Sequence, residues 1–263
     1  MNRRLSFLLV ICVSALPSFA EKAIQFDFND GEGAYSGTNA PAHAAGTIPL
    51  SNTSWNMVTA ETNAGLVFAD GSVATGVAFD VGQSATFTGD INWGDTPFIG
   101  TDTNTSGVFN TALARDNFYT ASSRQLGVRV RGLTPGTYRV YSIGRGTADD
   151  QLDKSYVQTI GIDLDNQTEV TPTIGPAANP PLSWVNGQTH LEGIVTITSS
   201  LQWVTVISRL DSPASHPAHA LQGLQIVPIS VAAPAPAVPA LDPAGFALFV
   251  ALLGIAAIVT LRR

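Results

Sequence analysis

The sequence predicts an all-β protein, an antiparallel β-sandwich carried between an N-terminal signal peptide helix and a C-terminal transmembrane helix. Three observations predict it. The longest apolar runs of the 263 residues lie at the two ends, although the whole chain is only 13% charged and has a mean hydropathy of +0.18. Between the ends, apolar and polar residues alternate with period two and are punctuated by Asn-Asp-Gly, Asp-Gly, Pro-Gly and Asn-Gly turns. Nowhere is a 3.6-residue period sustained among good helix formers, apart from a turn or two expected around 112–119. The expected layout is a leader over 1–20, a folded part over 21–230, a linker over 231–238 and a sorting or membrane segment over 238–263.

The leader is justified first. Asn2, Arg3 and Arg4 precede an apolar run from Leu5 to Leu16, and Ser18-Phe19-Ala20 supplies small residues at the positions flanking a signal-peptidase cut after Ala20. The run is too short to span a bilayer. Cys12, the one cysteine, lies inside it, so the exported chain has no disulfide framework and no cysteine-based zinc site. Once Arg3, Arg4, Asp242, Arg262 and Arg263 are set aside with the ends, 19 acidic and 9 basic side chains remain, a net charge of −10. That balance excludes the basic face a nucleic-acid binder needs.

Strands are expected at Ile24–Phe28, Leu66–Phe68, Val73–Phe79, Ser84–Thr88, Leu126–Val130, Thr137–Ile143, Tyr156–Ile162, Gly193–Thr198, Trp203–Leu210 and Leu221–Ile229. Each is short, β-branched or aromatic on one face, and closed by a turn signal. The absence of helical crossovers favours antiparallel pairing, and no fixed-period repeat points to a propeller or solenoid.

The C-terminal end follows a Pro/Ala spacer, Val231–Val238, whose restricted φ angles favour an extended chain. Beyond Val238-Pro239-Ala240-Leu241 an uncharged apolar run from Ala244 to Leu261 would reach about 27 Å as a helix, enough for a bilayer core. Arg262 and Arg263 would hold its end in the cytoplasm. Spacer, Pro-containing motif, apolar helix and Arg pair in this order resemble the PEP-CTERM/IPTL-CTERM class of bacterial sorting tails. The usual Glu-Pro after Val-Pro is replaced by Ala240-Leu241, closer to the Ile-Pro-Thr-Leu variant. The resemblance implies an exosortase-type membrane protease as partner, Sec-dependent export, transient anchoring in the inner membrane, and delivery to the surface or matrix of a Gram-negative-type bacterium.

Two further segments resemble known sandwiches. Leu133-Thr134-Pro135-Gly136-Thr137-Tyr138-Arg139-Val140-Tyr141 is similar to the turn-and-strand of many extracellular sandwiches. Ala220–Val227 is similar to the closing strand of galactose-binding-like and malectin-like jelly rolls. Together they imply a jelly-roll-like topology.

Catalytic chemistry is hard to find. Gly82-Gln83-Ser84-Ala85-Thr86 lacks the final glycine of a nucleophile elbow, and no His-Glu-x-x-His occurs. His216-Pro217-Ala218-His219 reads as a loop rather than a metal pair. Asp149, Asp150 and Asp153, and separately Asp163, Asp165, Asn166 and Glu169, form oxygen-rich loops. These either hold Ca²⁺, act as paired carboxylates or simply solvate a loop. Asp27, Asn29, Asp30, Asp163 and Asp165 are the expected calcium ligands, if any.

Sugar rings stack on flat side chains, so Trp93 in the polar stretch Asp90-Ile91-Asn92-Trp93-Gly94-Asp95 is the leading sugar-binding candidate, with Asn92, Asp95 and Trp184. The competing reading is that these rings cap the sandwich. Trp203 opens an apolar strand and is expected in the core, and Arg129 and Arg131 on the solvated face of theirs. The expected function is an exported, non-enzymatic, surface-anchored or matrix-associated protein that binds carbohydrate or exopolysaccharide. The alternatives are a structural biofilm-matrix protein without a ligand and, third, a secreted glycan-active enzyme.

Overall fold

A computed structural model describes residues 22–28, 35–101, 107–109, 111, 113, 116–144, 156–166, 173–174, 182–211 and 218–229. Ala20, Asn29, Asp30, the Asp149–Asp153 loop, Val238, Pro239, Ala240, Leu241, Arg262 and Arg263 lie outside these residues, so the leader and the tail are not described. Among the described residues no helix is long and apolar enough to cross a membrane.

The described residues are mostly β-strand in antiparallel sheets, with a four-residue helix, α1 (Pro41–Ala44), and a 3₁₀ turn at Gly107–Phe109. The strands are β1 (Ile24–Phe28), β2 (Asn56–Val58), β3 (Ala78–Ser84), β4 (Ile91–Asn92), β5 (Phe98–Thr101), β6 (Asp116–Ala121) and β7 (Leu126–Arg131). They continue with β8 (Gly136–Ile143), β9 (Tyr156–Ile162), β10 (Thr173–Ile174), β11 (Leu191–Ile197), β12 (Val204–Leu210), β13 (Ala218–Leu221) and β14 (Gly223–Pro228). A five-stranded sheet runs β11-β8-β14-β1-β2, and a six-stranded sheet runs β10-β9-β12-β7-β3-β4. A three-stranded sheet, β13-β6-β5, adjoins them. The only parallel pairing of named strands among the described residues is β1 with β2.

The two large sheets bury their alternating apolar faces against each other. Ile24, Phe26 and Phe28 of β1 and Val140 of β8 meet Phe79 and Val81 of β3 and Val128 and Val130 of β7 in one cluster. Phe26, Phe28, Phe79 and Phe118 form a chain of aromatic contacts at its centre, with centroids 5.0–6.3 Å apart. The outward side of the five-stranded sheet carries Gln25, Gln225 and Tyr141. It is covered by 35–55, where a buried polar network lies beside an apolar cluster of Ala42, Ile48, Tyr141 and Val227. Gln225 Nε2 donates to Gln25 Oε1 (2.6 Å), the Ala42 N–H donates to Gln225 Oε1 (2.9 Å), and Gln25 Nε2 donates to the carbonyls of Asn52 and Ser54.

Several expected boundaries shift. The Val73–Phe79 alternation is not one strand: Val73 bridges to Val67, and the continuous strand begins at Ala78 and runs through Ser84. Ser84–Thr88 accordingly contributes only its first residue to a strand. The helical turn expected over 112–119 is replaced from Asp116 onward by β6, because β5 and β13 supply partners on both sides. Trp203 is half-buried on the outer side of the six-stranded sheet, not in the core. Arg129 and Arg131 do share that outer side, Arg131 exposed and Arg129 half-buried.

Candidate functional site

The Trp93 loop packs on the outside of the six-stranded sheet because the sheet is cut away beneath it. Gly82 of β3 and Gly127 of β7 lie directly opposite each other. A Cβ on Gly127 would come within 2.8 Å of Trp93 Cη2, and one on Gly82 within 2.8 Å of Trp93 Cα. Two glycines in register therefore form the slot into which the indole lies.

One row further along, Asp80 and Arg129 are also directly opposite. Arg129 Nη2 and Nε both donate to Asp80 Oδ2, at 2.6 and 2.9 Å, and Asp80 Oδ1 accepts the Val81 N–H. The guanidinium held in this way stacks over Trp93 on one side (3.9 Å to the ring centroid) and over Trp203 on the other (4.3 Å). Arg131 adds a last layer over Trp203 at 4.6 Å. The result is a Trp-Arg-Trp-Arg stack across β7, with each cation over an electron-rich ring face.

The acidic loop after β9 clamps the stack. Asp163, at φ 51°, receives the Trp203 N–H on Oδ1 (2.8 Å) and returns its own N–H to the Trp203 carbonyl (2.9 Å). Asp165 Oδ1 accepts the Trp93 indole N–H (3.2 Å), and its carbonyl accepts the Ile91 N–H (2.6 Å). Asn166 Nδ2 donates to Asp90 Oδ1 at 2.5 Å. Of the residues expected as calcium ligands, Asp163 and Asp165 thus each accept a protein N–H on Oδ1, while Asn29 and Asp30 lie outside the described residues. Asp27 sits apart from them, buried in β1, where its Oδ2 accepts the Tyr35 N–H (2.8 Å). Among the described residues no group of three or more acidic, histidine or cysteine side chains is arranged to hold a metal.

The sugar-binding candidates are likewise occupied and separated. Asn92 Oδ1 accepts the Gly94 N–H, and Asp95 accepts Gln83 Nε2 at 3.1 Å and faces Arg124 Nη1 at 3.5 Å. Trp184 belongs to the other sheet's cover. Its indole donates to Asn39 Oδ1 (3.0 Å), and its ring meets Phe109 and His190 edge-on.

Two histidines lie in that same cover. His43 donates from Nε2 to the Asn52 carbonyl (3.0 Å) and turns Nδ1 toward Gln225 Nε2, so its ring is neutral. Burial pushes its pKa below the ordinary histidine value. His190 contacts Thr189 Oγ1 and Glu192 Oε1, and burial lowers its pKa although Glu192 acts the other way. Thr189, His190 and Glu192 thus form a hydroxyl–imidazole–carboxylate series, but Thr189 is fully buried, and its hydroxyl donates to the Val185 carbonyl (3.1 Å) and accepts the Val185 N–H (2.8 Å).

One aromatic feature escaped the sequence reading. Phe98 of β5 and Tyr119 of β6 are directly opposite, with rings 5.4 Å apart and tilted by 28°. Phe98 is 59% exposed and Tyr119 half-buried. Gly100 permits the arrangement, since a Cβ there would come within 2.7 Å of Tyr119 Cε1. The aromatic and β-branched residues of Phe98-Ile99-Gly100-Thr101 suit a strand, but four residues without alternation between a proline and a polar run carry too little pattern to read as one.

Compared with protein-family models, with curated proteins and with solved structures, the chain gives no match.

Proposed function

We propose that this protein is an exported, non-enzymatic surface or matrix module whose all-β domain binds carbohydrate on the Phe98–Tyr119 face. The observation that carries the reading is this stacked aromatic pair, whose Phe98 ring is 59% exposed, whereas Trp93 and Trp184 are half-buried and donate their indole N–H groups to side chains. The C–H face of a pyranose would stack on the outward face of the Phe98 ring, which Tyr119 backs from the opposite strand. The jelly-roll-like topology belongs to the same proposal, supported by the sequence of the closing strand and by facing antiparallel sheets. So do the signal peptide, the exosortase-read tail at Val238-Pro239-Ala240-Leu241 and the surface destination, supported by residue order at the two ends.

A glycan array on the full chain in detergent tests the binding reading, with and without Ca²⁺. Binding that falls about tenfold or more in Phe98→Ala, with an unchanged melting temperature, supports it. No glycan bound under either condition sinks it and leaves the structural matrix protein. Release of reducing ends from host exopolysaccharide would instead establish the enzyme. For the tail, intact-mass measurement on protein recovered from the native cell surface is expected to show loss of the residues beyond about Val238. Retention of Arg262 and Arg263 would reduce the sorting signal to a plain anchor.

A further inference from the structure

Among the described residues, every lysine and arginine but one is held by an anion or a ring. Lys22 bonds to Asp70, Arg124 faces Asp95, Arg129 is fixed on Asp80, Arg131 lies over Trp203 and Arg209 over Phe87. Arg139 of β8 is the exception. No carboxylate, carbonyl or aromatic ring among the described residues meets its guanidinium, although the chain is acidic and the side chain is half-buried.

Strand register fixes where this cation points. Val140 lies in the core between the sheets, so Arg139 and Tyr141 face the outer side of the five-stranded sheet. Ile194 of β11 is directly opposite Arg139, and Glu192 lies on the same outer face, opposite Tyr141. Arg139, Glu192, Gly193, Ile194 and Asn186 line a crevice of about 370 Å³, at the small end of the range for small-molecule sites. A diagonal Arg–Glu pair is within reach across two strands, yet Glu192 Oε1 faces His190 Nε2 (3.3 Å) and the two charges stay apart. Glu192 Oε2 is left as an acceptor without a partner among the described residues. Asn186 Oδ1 accepts the Glu192 N–H (3.0 Å), which orients the amide and leaves its Nδ2 as a donor without a partner among them. The Ile194 side chain, 63% exposed, supplies an apolar wall.

We propose that the crevice between Arg139 and Glu192 binds a sugar that carries a carboxylate, a single hexuronate unit. The carboxylate accepts two N–H bonds from the flat edge of the Arg139 guanidinium, a geometry suited to that pair. Ring hydroxyls donate to Glu192 Oε2 and accept from Asn186 Nδ2, and the C–H face of the ring rests on Ile194. Phosphate or a dicarboxylate fits less well, because Glu192 repels a second negative charge. A neutral sugar fits less well, because it leaves Arg139 without an anion. The site lies on the five-stranded sheet, whereas Phe98 and Tyr119 belong to the three-stranded one, so the two sites stand or fall separately.

Ligand-observed NMR titration of the full chain in detergent micelles tests this with methyl glucuronoside, methyl glucoside, glutamate and inorganic phosphate. The glucuronoside is expected to bind about tenfold or more tightly than each of the others, and to weaken as salt is raised. Arg139→Gln removes no polar contact among the described residues and should weaken glucuronoside binding about tenfold or more with an unchanged melting temperature. Asn186→Asp keeps the acceptor for the Glu192 N–H but replaces the amide donor by a negative charge, and should weaken binding similarly. Phe98→Ala should leave glucuronoside binding unchanged, so loss of another glycan in that variant reports on the aromatic face alone. Absence of glucuronoside binding overturns the inference, as does equal binding of the glucoside, glutamate or phosphate. Glucuronoside binding that survives Arg139→Gln, or that is lost in Phe98→Ala, overturns it as well.

Discussion

Arg129 shows how one side chain can organise a surface. Its carboxylate partner Asp80 is buried, its two faces are covered by Trp93 and Trp203, and the guanidinium is thereby fixed edge and face. Arg129→Ala would leave the Asp80 charge buried without a partner and open a gap between two indoles. We expect a loss of about 3 kcal/mol, read as a lower midpoint in urea, with a weakened near-ultraviolet tryptophan signal. Arg129→Lys should recover little of it, because an ammonium group cannot donate from two fixed positions and stack flat at once. The sequence made the outward placement of Arg129 and Arg131 legible, since alternation with Leu126, Val128 and Val130 fixes the face. It could not show that Trp93, 36 positions earlier, and Trp203, 74 positions later, converge on that arginine. That convergence depends on strand order, which local pattern does not encode.

Among the elements, those with long alternation were read well and those created by their neighbours were not. β1, β7, β8, β9 and β12 begin and end within a residue or so of their expected bounds, because each keeps its period-two alternation over five or more residues. β6 was masked by helix-compatible residues before it and is a strand because β5 and β13 hydrogen-bond to it. The acidic loop after β9 was legible as oxygen-rich, but its oxygens accept protein N–H groups, an outcome that residue type alone does not distinguish from metal binding. The glycine slot gives a test at this scale. Gly127→Val places branched carbon where Trp93 lies, so the loop from Ile91 to Asp95 should detach while β7 stays paired. Hydrogen exchange is expected to rise at the Ile91 amide, which bonds to Asp165, and to stay unchanged at the core amides of β7. Exchange rising across the entire sheet instead would show that the slot supports the strand rather than the loop.

For the molecule as a whole, acid should loosen the cover of the five-stranded sheet before anything else. His43 and His190 both sit in that cover, neutral, with pKa values below the ordinary 6.5. The unfolded chain therefore takes up protons first as pH falls. The stability contributed by the neutral rings is fully present above about 6.5 and is lost progressively as pH drops below it. Protonated His43 would also turn an N–H toward Gln225 Nε2, itself a donor. Melting temperature is expected to fall between pH 7 and 5, and the double variant His43→Gln/His190→Gln should flatten that slope; an unchanged slope would place the acid sensitivity elsewhere. The place of β14 has a mechanical consequence. It is the last strand among the described residues, and it lies between β8 and β1 with antiparallel partners on both sides. A pull applied beyond Ile229 and along that strand loads its rungs together in shear, so it cannot be peeled away one bond at a time. A strand interior to its sheet therefore resists being unravelled by a load applied at its C-terminal end.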